Sequence, residues 1–213
     1  MKELFDGIWQ TKEEEPFGSG SGAFTAAYLI TERDDNVLIY STGVESSFNL
    51  IQKQGGVTYQ MLSHRHEAGE SLPQIKKRFN SRLCAHTLEV ESINRYCDVD
   101  TLFPDHEIEL GGIKIIPTPG HTNGSCCFLY ESLSGIKYLF TGDTLYLDKQ
   151  DKLSTIVFSS DGGSVEELVD SLKRLGDLQP DIVIPSVHSS VSYKTMSEGS
   201  WEQAIHTAIS NVA

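Results

Sequence analysis

The most constraining feature of this chain is a pair of histidines, His64 and His66, that follows a short apolar run. Residues i and i+2 of an extended segment point to the same side, so one strand end can aim both imidazoles at a single point. Three later residues occupy a similar position, directly after an apolar, β-rich run. They are His121, Asp143 and His188. Four strand ends that carry side chains of this kind predict a metal site at one edge of the fold.

Strand and helix patterns alternate along the chain, which predicts an α/β fold. Ser164 and Glu167 form a capping box before an amphipathic helix, and Thr87 is the predicted N-cap of an earlier helix. The length suits one domain made of two αβ halves, residues 1–105 and 106–213. Two β-rich halves with outer helices make a four-layer αββα sandwich, with the candidate ligands along one edge.

Charge and composition argue against several function classes. The 213 residues include 17 basic and 30 acidic side chains, a formal net charge of −13. Nucleic acids and anionic membranes are bound mainly through basic contacts to phosphate, so neither is an expected partner. The first residues lack the apolar stretch of a signal peptide, and no run is long enough to span a bilayer. We therefore expect a cytoplasmic protein with a small-molecule substrate; the sequence leaves its oligomeric state open.

The four cysteines do not have the spacing of a metal site. Cys84 and Cys97 stand apart, while Cys126 and Cys127 are neighbours on a predicted strand and point to opposite faces. Buried free thiols in a reducing compartment fit this pattern.

Two features bear on the substrate. Glycine and serine alternate over residues 18–22, which predicts either a plain surface loop or a mobile flap over the site. Trp9, Tyr146 and Phe158 are candidates to line an apolar pocket, or else to belong to the core.

The order of these motifs resembles the metallo-β-lactamase-like hydrolase superfamily, and in particular its small glyoxalase II-like members. The shared elements are His-Xaa-His at 64–66, Pro-Gly-His-Thr at 119–122, Thr-Gly-Asp-Thr at 141–144 and a last histidine at 188. The resemblance runs from about residue 4 to about residue 206. It implies that His64, His66 and His121 hold a first metal ion, that Asp143 bridges to a second ion, and that His188 binds the second.

The chain departs from the family pattern in its first motif. The family motif is His-Xaa-His-Xaa-Asp-His, and its Asp and last His either fall at Ala68 and Gly69 or have been deleted, so two ligands are missing. Glu67 or Glu70 could supply a replacement oxygen ligand. Ser41 stands where the family often has the Asp of Asp-Thr-Gly, so we also expect a carboxylate that supports the ligands to be missing.

These residues predict a hydrolase of an ester, thioester or lactone that uses a metal-bound hydroxide. Three histidines with one open position are typical of catalytic zinc. One zinc ion is the expected cofactor, with iron or manganese as alternatives. Asp143 would be a fourth ligand or the base for the bound water, and His188 would contact the substrate or Asp143.

Two other functions compete with this one. The broken first motif also fits a non-catalytic binding or regulatory protein that keeps the fold with one metal ion or none. Two histidines and a carboxylate, such as His64, His121 and Asp143, also suit a mononuclear iron oxygenase that resembles persulfide dioxygenase.

Overall fold

A computed structural model describes residues 1–212 of the chain. The strands of the first half are β1 (Lys2–Phe5), β2 (Ile8–Gln10), β3 (Phe24–Thr25), β4 (Tyr28–Ile30), β5 (Val37–Ile39), β6 (Tyr59–Met61), β7 (Arg82–His86) and β8 (Thr101–Phe103). The strands of the second half are β9 (Ile108–Leu110), β10 (Ile113–Pro117), β11 (Cys126–Glu131), β12 (Lys137–Gly142), β13 (Tyr146–Leu147), β14 (Leu153–Ser154), β15 (Ile182–Pro185), β16 (Val187–His188) and β17 (Lys194–Thr195). The α-helices are α1 (Glu45–Lys53), α2 (Ser71–Phe79), α3 (Val90–Ile93), α4 (Val165–Gly176) and α5 (Ser200–Val212).

Two large sheets are formed by successive parts of the chain. The first sheet has the order β1-β2-β4-β5-β6-β7-β8 and uses residues 2–103. The second has the order β17-β15-β12-β11-β10-β9 and uses residues 108–195. Outside both sheets, β3 pairs with β16, so the segment after β2 lies against the strand that carries His188.

Three apolar clusters hold four layers together. The largest cluster combines residues from both sheets, a second lies between the second sheet and helices α4 and α5, and a third packs α2 and α3 on the first sheet. Adjacent residues of β11 point to opposite faces of the second sheet, because Cys126 belongs to the first cluster and Cys127 to the second. The predicted α/β class is confirmed, and all four cysteines are free.

The helix predicted after Thr87 begins as a 3-10 turn, Thr87–Glu89, which leads into α3. The N-cap of this turn is His86, whose Nδ1 accepts a hydrogen bond from the Leu88 N–H at 3.3 Å. Thr87 does not act as the cap because its hydroxyl donates to the Phe103 carbonyl at 3.0 Å. The predicted cap of α4 is confirmed, since Ser164 Oγ accepts from the Glu167 N–H at 3.4 Å.

Two further expectations concern the loop at residues 18–22 and helices that could span a membrane. The glycines of the loop at residues 18–22 have φ values of +94°, +84° and +72°, which other residues rarely adopt. Its role as a flap stays a prediction. Within residues 1–212, none of the helices combines the length and the apolar character that crossing a membrane requires.

Candidate metal centre

Three predicted ligands converge at one edge of the two sheets. His64 and His66 lie on the turn after β6, where Arg65–Glu67 form a 3-10 turn. His121 lies on the loop after β10. Each of the three imidazoles has a nitrogen within 4.8 Å of the others, and His66 Nδ1 is 3.2 Å from His121 Nε2. We call these three residues the histidine cluster.

Asp143, which follows β12, lies against the histidine cluster. Its Oδ2 atom is 3.5 Å from His64 Nε2 and 3.7 Å from His121 Nε2. Its Oδ1 atom accepts a hydrogen bond from the Ser186 hydroxyl. Zinc bonds of about 2.0–2.1 Å in tetrahedral geometry separate two donor atoms by roughly 3.4 Å. The spacing of the four side chains therefore suits an ion of this size.

In each imidazole of the cluster, one ring nitrogen, here called the inner nitrogen, faces the other two rings. The second, called the outer nitrogen, faces away from them and lies close to an oxygen atom. The contacts are His64 Nδ1 to Glu67 Oε1 at 3.2 Å, His66 Nε2 to Asp161 Oδ2 at 3.1 Å, and His121 Nδ1 to the Ile156 carbonyl at 2.9 Å. Outer contacts of this kind orient the rings of metal-binding histidines. The inner nitrogen of His64, Nε2, is buried and has no hydrogen-bond partner, as expected of an atom that serves as a metal ligand. The donor set fits a divalent cation.

The electrostatics of the cluster favour a positive charge. Burial alone would lower the pKa of His64, but the carboxylates of Asp143 and Glu67 outweigh it and raise this pKa to about 10. Burial, together with the charge on His64, lowers the pKa of His121 to about 4. Burial would raise the pKa of Asp143, but the neighbouring His64 holds it well below its usual range. Carboxylates with this effect on a proton also attract a metal cation.

A buried glutamate joins the two loops that carry the histidines. Glu89, which is 1% exposed, accepts hydrogen bonds from the backbone N–H and the guanidinium of Arg65 at 2.8 Å and 2.6 Å. It also accepts from the Thr122 hydroxyl at 2.8 Å and the Gly124 N–H at 2.9 Å. Because Arg65 separates the paired histidines and Thr122 follows His121, Glu89 fixes both loops relative to each other.

The segment 156–161 forms one wall beside the cluster. Besides the Ile156 carbonyl and Asp161, it contributes Phe158, whose backbone N–H donates to the His121 carbonyl at 2.9 Å. The Phe158 ring packs edge-on at 4.9 Å from His66 and 5.1 Å from His121. Ile156 and Phe158 are 43% and 38% exposed, so an apolar surface borders the histidines. Of the other two aromatic candidates, Tyr146 is half-buried and Trp9 packs on the inter-sheet core.

His188 lies outside the histidine cluster. It is 1% exposed on β16, and its Nε2 atom is 3.3 Å from Glu13 Oε1, while its Nδ1 atom has no partner. Burial lowers the pKa of His188, and the Glu13 contact opposes that shift. Its predicted roles as a metal ligand and a catalytic residue therefore stay predictions, with no contact to Asp143 among residues 1–212 to support them.

Several residues of the site were not predicted as supporting groups. Glu67 was a candidate metal ligand, but it lies behind His64, against the outer nitrogen. The 3-10 turn follows His64, whose carbonyl accepts a hydrogen bond from the Glu67 N–H at 3.4 Å, and this turn brings the Glu67 side chain back to His64. Asp161 and Glu89 had no local signal. Ser41 contacts Ser71 Oγ at 2.8 Å, and the loss of a carboxylate there does not leave the histidines unsupported.

Comparison of the sequence with profiles of protein families shows to which superfamily the chain belongs. The profile of the metallo-beta-lactamase superfamily matches residues 64–188, which is more than half of the chain. The chain belongs to this superfamily. The matched segment begins at the first histidine of the cluster and ends at His188, so it contains every predicted ligand.

Two curated relatives are hydrolases. The chain is 28% identical over 133 residues to the "Probable polyketide biosynthesis zinc-dependent hydrolase PksB" of Bacillus subtilis (strain 168), a match that covers 60% of this chain and 55% of the relative. It is 23% identical over 183 residues to a hydroxyacylglutathione hydrolase of Shewanella pealeana, covering 85% of this chain and 61% of the relative. The chain thus spans less than two thirds of the length of either.

Solved metallo-β-lactamases share the fold. The enzyme from Pontibacter korlensis superposes with a TM-score of 0.71 at 16% identity, covering 99% of this chain and 97% of that one. GOB-18 from Elizabethkingia meningoseptica superposes with a TM-score of 0.63 at 21% identity, covering 93% and 91%. At these identities the likeness concerns the fold alone.

Proposed function

We propose that this superfamily member is a metal-dependent hydrolase that holds one ion and cleaves an ester, thioester or lactone. The observation that carries the proposal is the arrangement of His64, His66 and His121, whose inner nitrogens converge while their outer nitrogens are held by oxygen atoms. Zinc is the proposed ion, because three imidazoles with room for a further oxygen donor are typical of catalytic zinc.

A divalent ion in this cluster would supply Lewis acidity, which lowers the pKa of a water molecule and polarises a carbonyl oxygen. The protein's own contribution is orientation. Asp143 is fixed through Oδ1 by Ser186, which leaves Oδ2 on the side of His64 and His121. From that position Asp143 can bind the ion directly or orient the attacking water by accepting its hydrogen bond.

The surroundings support one ion rather than two. Positions 68 and 69 are Ala and Gly, which offer no side-chain donor. Glu67 is engaged with Ser63 and His64. His188 has its Nε2 atom against Glu13. A second ion next to Asp143 would therefore lack the ligands that a stable site requires.

The border of the site supports an uncharged, apolar acyl group in the substrate. Ile156 and Phe158 offer apolar surface beside the histidines. Arg65, the basic residue of the first loop, is engaged with Glu89 and with the Asn123 side chain. The nearby Asp143 and Asp161 add negative charge, which disfavours an anionic substrate. A neutral ester or lactone with an aliphatic or aromatic acyl group fits best.

The test is hydrolysis by the zinc-loaded protein of a panel that includes neutral aryl esters, lactones, acyl thioesters, a hydroxyacylglutathione and a cephalosporin. Turnover of neutral substrates that a chelator abolishes and zinc restores is the expected result. His121→Ala should lose it. Zinc binding without turnover of any class would instead favour the binding-protein hypothesis, and oxygen consumption by an iron-loaded chain would favour the oxygenase.

A further inference from the structure

The carboxylate of Glu67 lies behind His64, in a loop where the superfamily motif is interrupted. We infer that Glu67 is a positioning residue that orients His64 for metal binding and supplies the supporting carboxylate that position 41 lacks. The inference rests on the proposed metal site, but not on any particular substrate.

Three contacts fix the Glu67 carboxylate. Oε2 accepts a hydrogen bond from the Ser63 N–H at 2.8 Å, and Oε1 accepts one from the Ser63 hydroxyl. Oε1 also lies 3.2 Å from His64 Nδ1, and the Ser63 Oγ atom, which Glu67 holds, lies 3.0 Å from the same nitrogen. The side chain is 8% exposed, so water competes little for these contacts. These contacts therefore hold the carboxylate in one position, beside the Nδ1 atom of the His64 ring.

Neighbouring backbone keeps this arrangement tight. Gly142, which precedes Asp143, has φ +53°, and a Cβ atom added there would lie 2.7 Å from Ser63 Cβ. Ser63 is thus packed between Gly142 and the Glu67 carboxylate. The Ser63 carbonyl in turn accepts from the Cys126 N–H at 2.8 Å, which ties the loop to β11.

The chemical consequence concerns which nitrogen of His64 carries the proton. When Nδ1–H donates to a carboxylate, the lone pair of Nε2 points away from it, toward His121 and Asp143. A carboxylate partner also makes the imidazole a stronger ligand. At position 41, by contrast, a serine bonds only to other polar side chains, Gln60 and Ser71.

Glu67→Gln is the test variant, because it keeps the size of the side chain and an oxygen that can accept from the Ser63 N–H. Its amide NH2 group would face His64 Nδ1 and favour the tautomer whose proton sits on the metal-facing Nε2. Glu70→Gln is the matched control, because Glu70, the other candidate for a replacement ligand, is exposed and lies outside the group of side chains that could hold an ion. The same charge is lost three residues further along, at a position without a side-chain hydrogen bond at the helix cap. Ser63→Ala is a second variant, which removes one anchor of Glu67 together with the hydroxyl that lies 3.0 Å from His64 Nδ1.

Zinc affinity is measured by competition with a chromophoric chelator, and cobalt-loaded protein is compared by its visible d–d spectrum. Urea unfolding of the chelator-treated variants checks that each is folded. We expect Glu67→Gln to weaken zinc binding about 10- to 100-fold and to change the cobalt spectrum at full loading. Ser63→Ala should have a smaller effect in the same direction, and Glu70→Gln should change affinity less than about twofold.

The outcomes separate this inference from the proposed function. Zinc affinity and a cobalt spectrum unchanged in Glu67→Gln, with metal bound by the wild-type chain, would overturn the positioning role alone. A wild-type chain that takes up neither ion would overturn the metal site, and the role of Glu67 with it. Weaker metal binding by Glu67→Gln in a chain without any hydrolytic turnover would support the inference while counting against the hydrolase.

Discussion

The histidine cluster and the buried His188 both lie at strand ends of the same fold, yet the nitrogens of their imidazoles have different partners. In the cluster, the three inner nitrogens face one another and each outer nitrogen has an oxygen partner. His188 instead has one nitrogen against Glu13 and the other without a partner. The oriented rings of the cluster are the arrangement that is typical of metal-binding histidines.

The comparison shows that a histidine after a strand becomes a ligand through its neighbours. Glu89 and Glu67 hold the loops of the cluster, and segment 156–161 holds two of its rings. The partner of His188, Glu13, is 43% exposed on its side chain and belongs to the segment between β2 and β3. The following predictions test this difference, beginning with the largest expected effect.

Replacing Glu89 should have the largest effect on stability. Glu89→Ala leaves Arg65, Thr122 and Gly124 without their shared acceptor, and breaking a buried ion pair in this way costs about 3–5 kcal/mol. Urea unfolding measures the loss. Glu91→Ala, at an exposed position on α3, is the control and should change the free energy of unfolding by less than about 0.5 kcal/mol. Equal losses in the two variants would contradict the role of Glu89 as the link between the loops.

Gly142→Ala should come next. At φ +53° any other residue is strained by about 1–2 kcal/mol, and the new methyl group would press on Ser63. Overpacking of this kind costs about 1–3 kcal/mol more. Gly135→Ala is the matched control, with φ +84° and no heavy atom within 4 Å of the added Cβ. Thermal or urea unfolding of both variants isolates the contact with Ser63, and a Gly142→Ala variant no less stable than Gly135→Ala would argue against it.

Asp161→Asn should weaken zinc binding about 10-fold, the lower end of the range for an outer partner of a metal ligand. The reason is exposure: Asp161 is 32% exposed, so water can replace part of its contact with His66 Nε2. Chelator competition measures the change. A smaller loss of zinc affinity in Asp161→Asn than in Glu67→Gln would support the importance of burial for these outer partners. The reverse order would contradict it.

The smallest effect concerns pH and His188. Burial lowers the pKa of His188 in the folded chain below the value of about 6.5 in the unfolded chain. The unfolded chain therefore binds more protons, and the stability that neutral His188 contributes is present above about pH 6.5 and lost as the pH falls below it.

His188→Gln should thus reduce the loss of stability between pH 7 and pH 5, by at most about 1.4 kcal/mol per pH unit. Urea unfolding in the presence of a chelator, with exposed His206→Gln as the control, makes the measurement. A pH dependence identical in wild type and His188→Gln would show that His188 is not held neutral by burial.

The fold and the candidate ligands were predictable because their signals are local. His64 and His66 are two positions apart, and His121 and Asp143 each lie in a short motif after an apolar run. The α/β class followed from the alternation of strand and helix patterns along the chain.

The supporting residues were not predictable because their partners are distant in the sequence. Glu89 contacts Arg65 and Thr122, which are 24 and 33 residues away. Asp161 contacts His66 across 95 residues. A glutamate at a helix start and an aspartate in a loop have the pattern of solvated surface residues, and only the tertiary structure shows that they hold the histidines.

Metal content tests the central claim most directly. Elemental analysis of protein purified without metal-affinity steps, then loaded with zinc and freed of excess, should find about one zinc per chain in the wild type and in His188→Ala, and none above background in His121→Ala. Two zinc ions per chain, of which one is lost in His188→Ala, would contradict the assignment of His188 to a separate environment. No zinc in the wild type would contradict the metal centre itself.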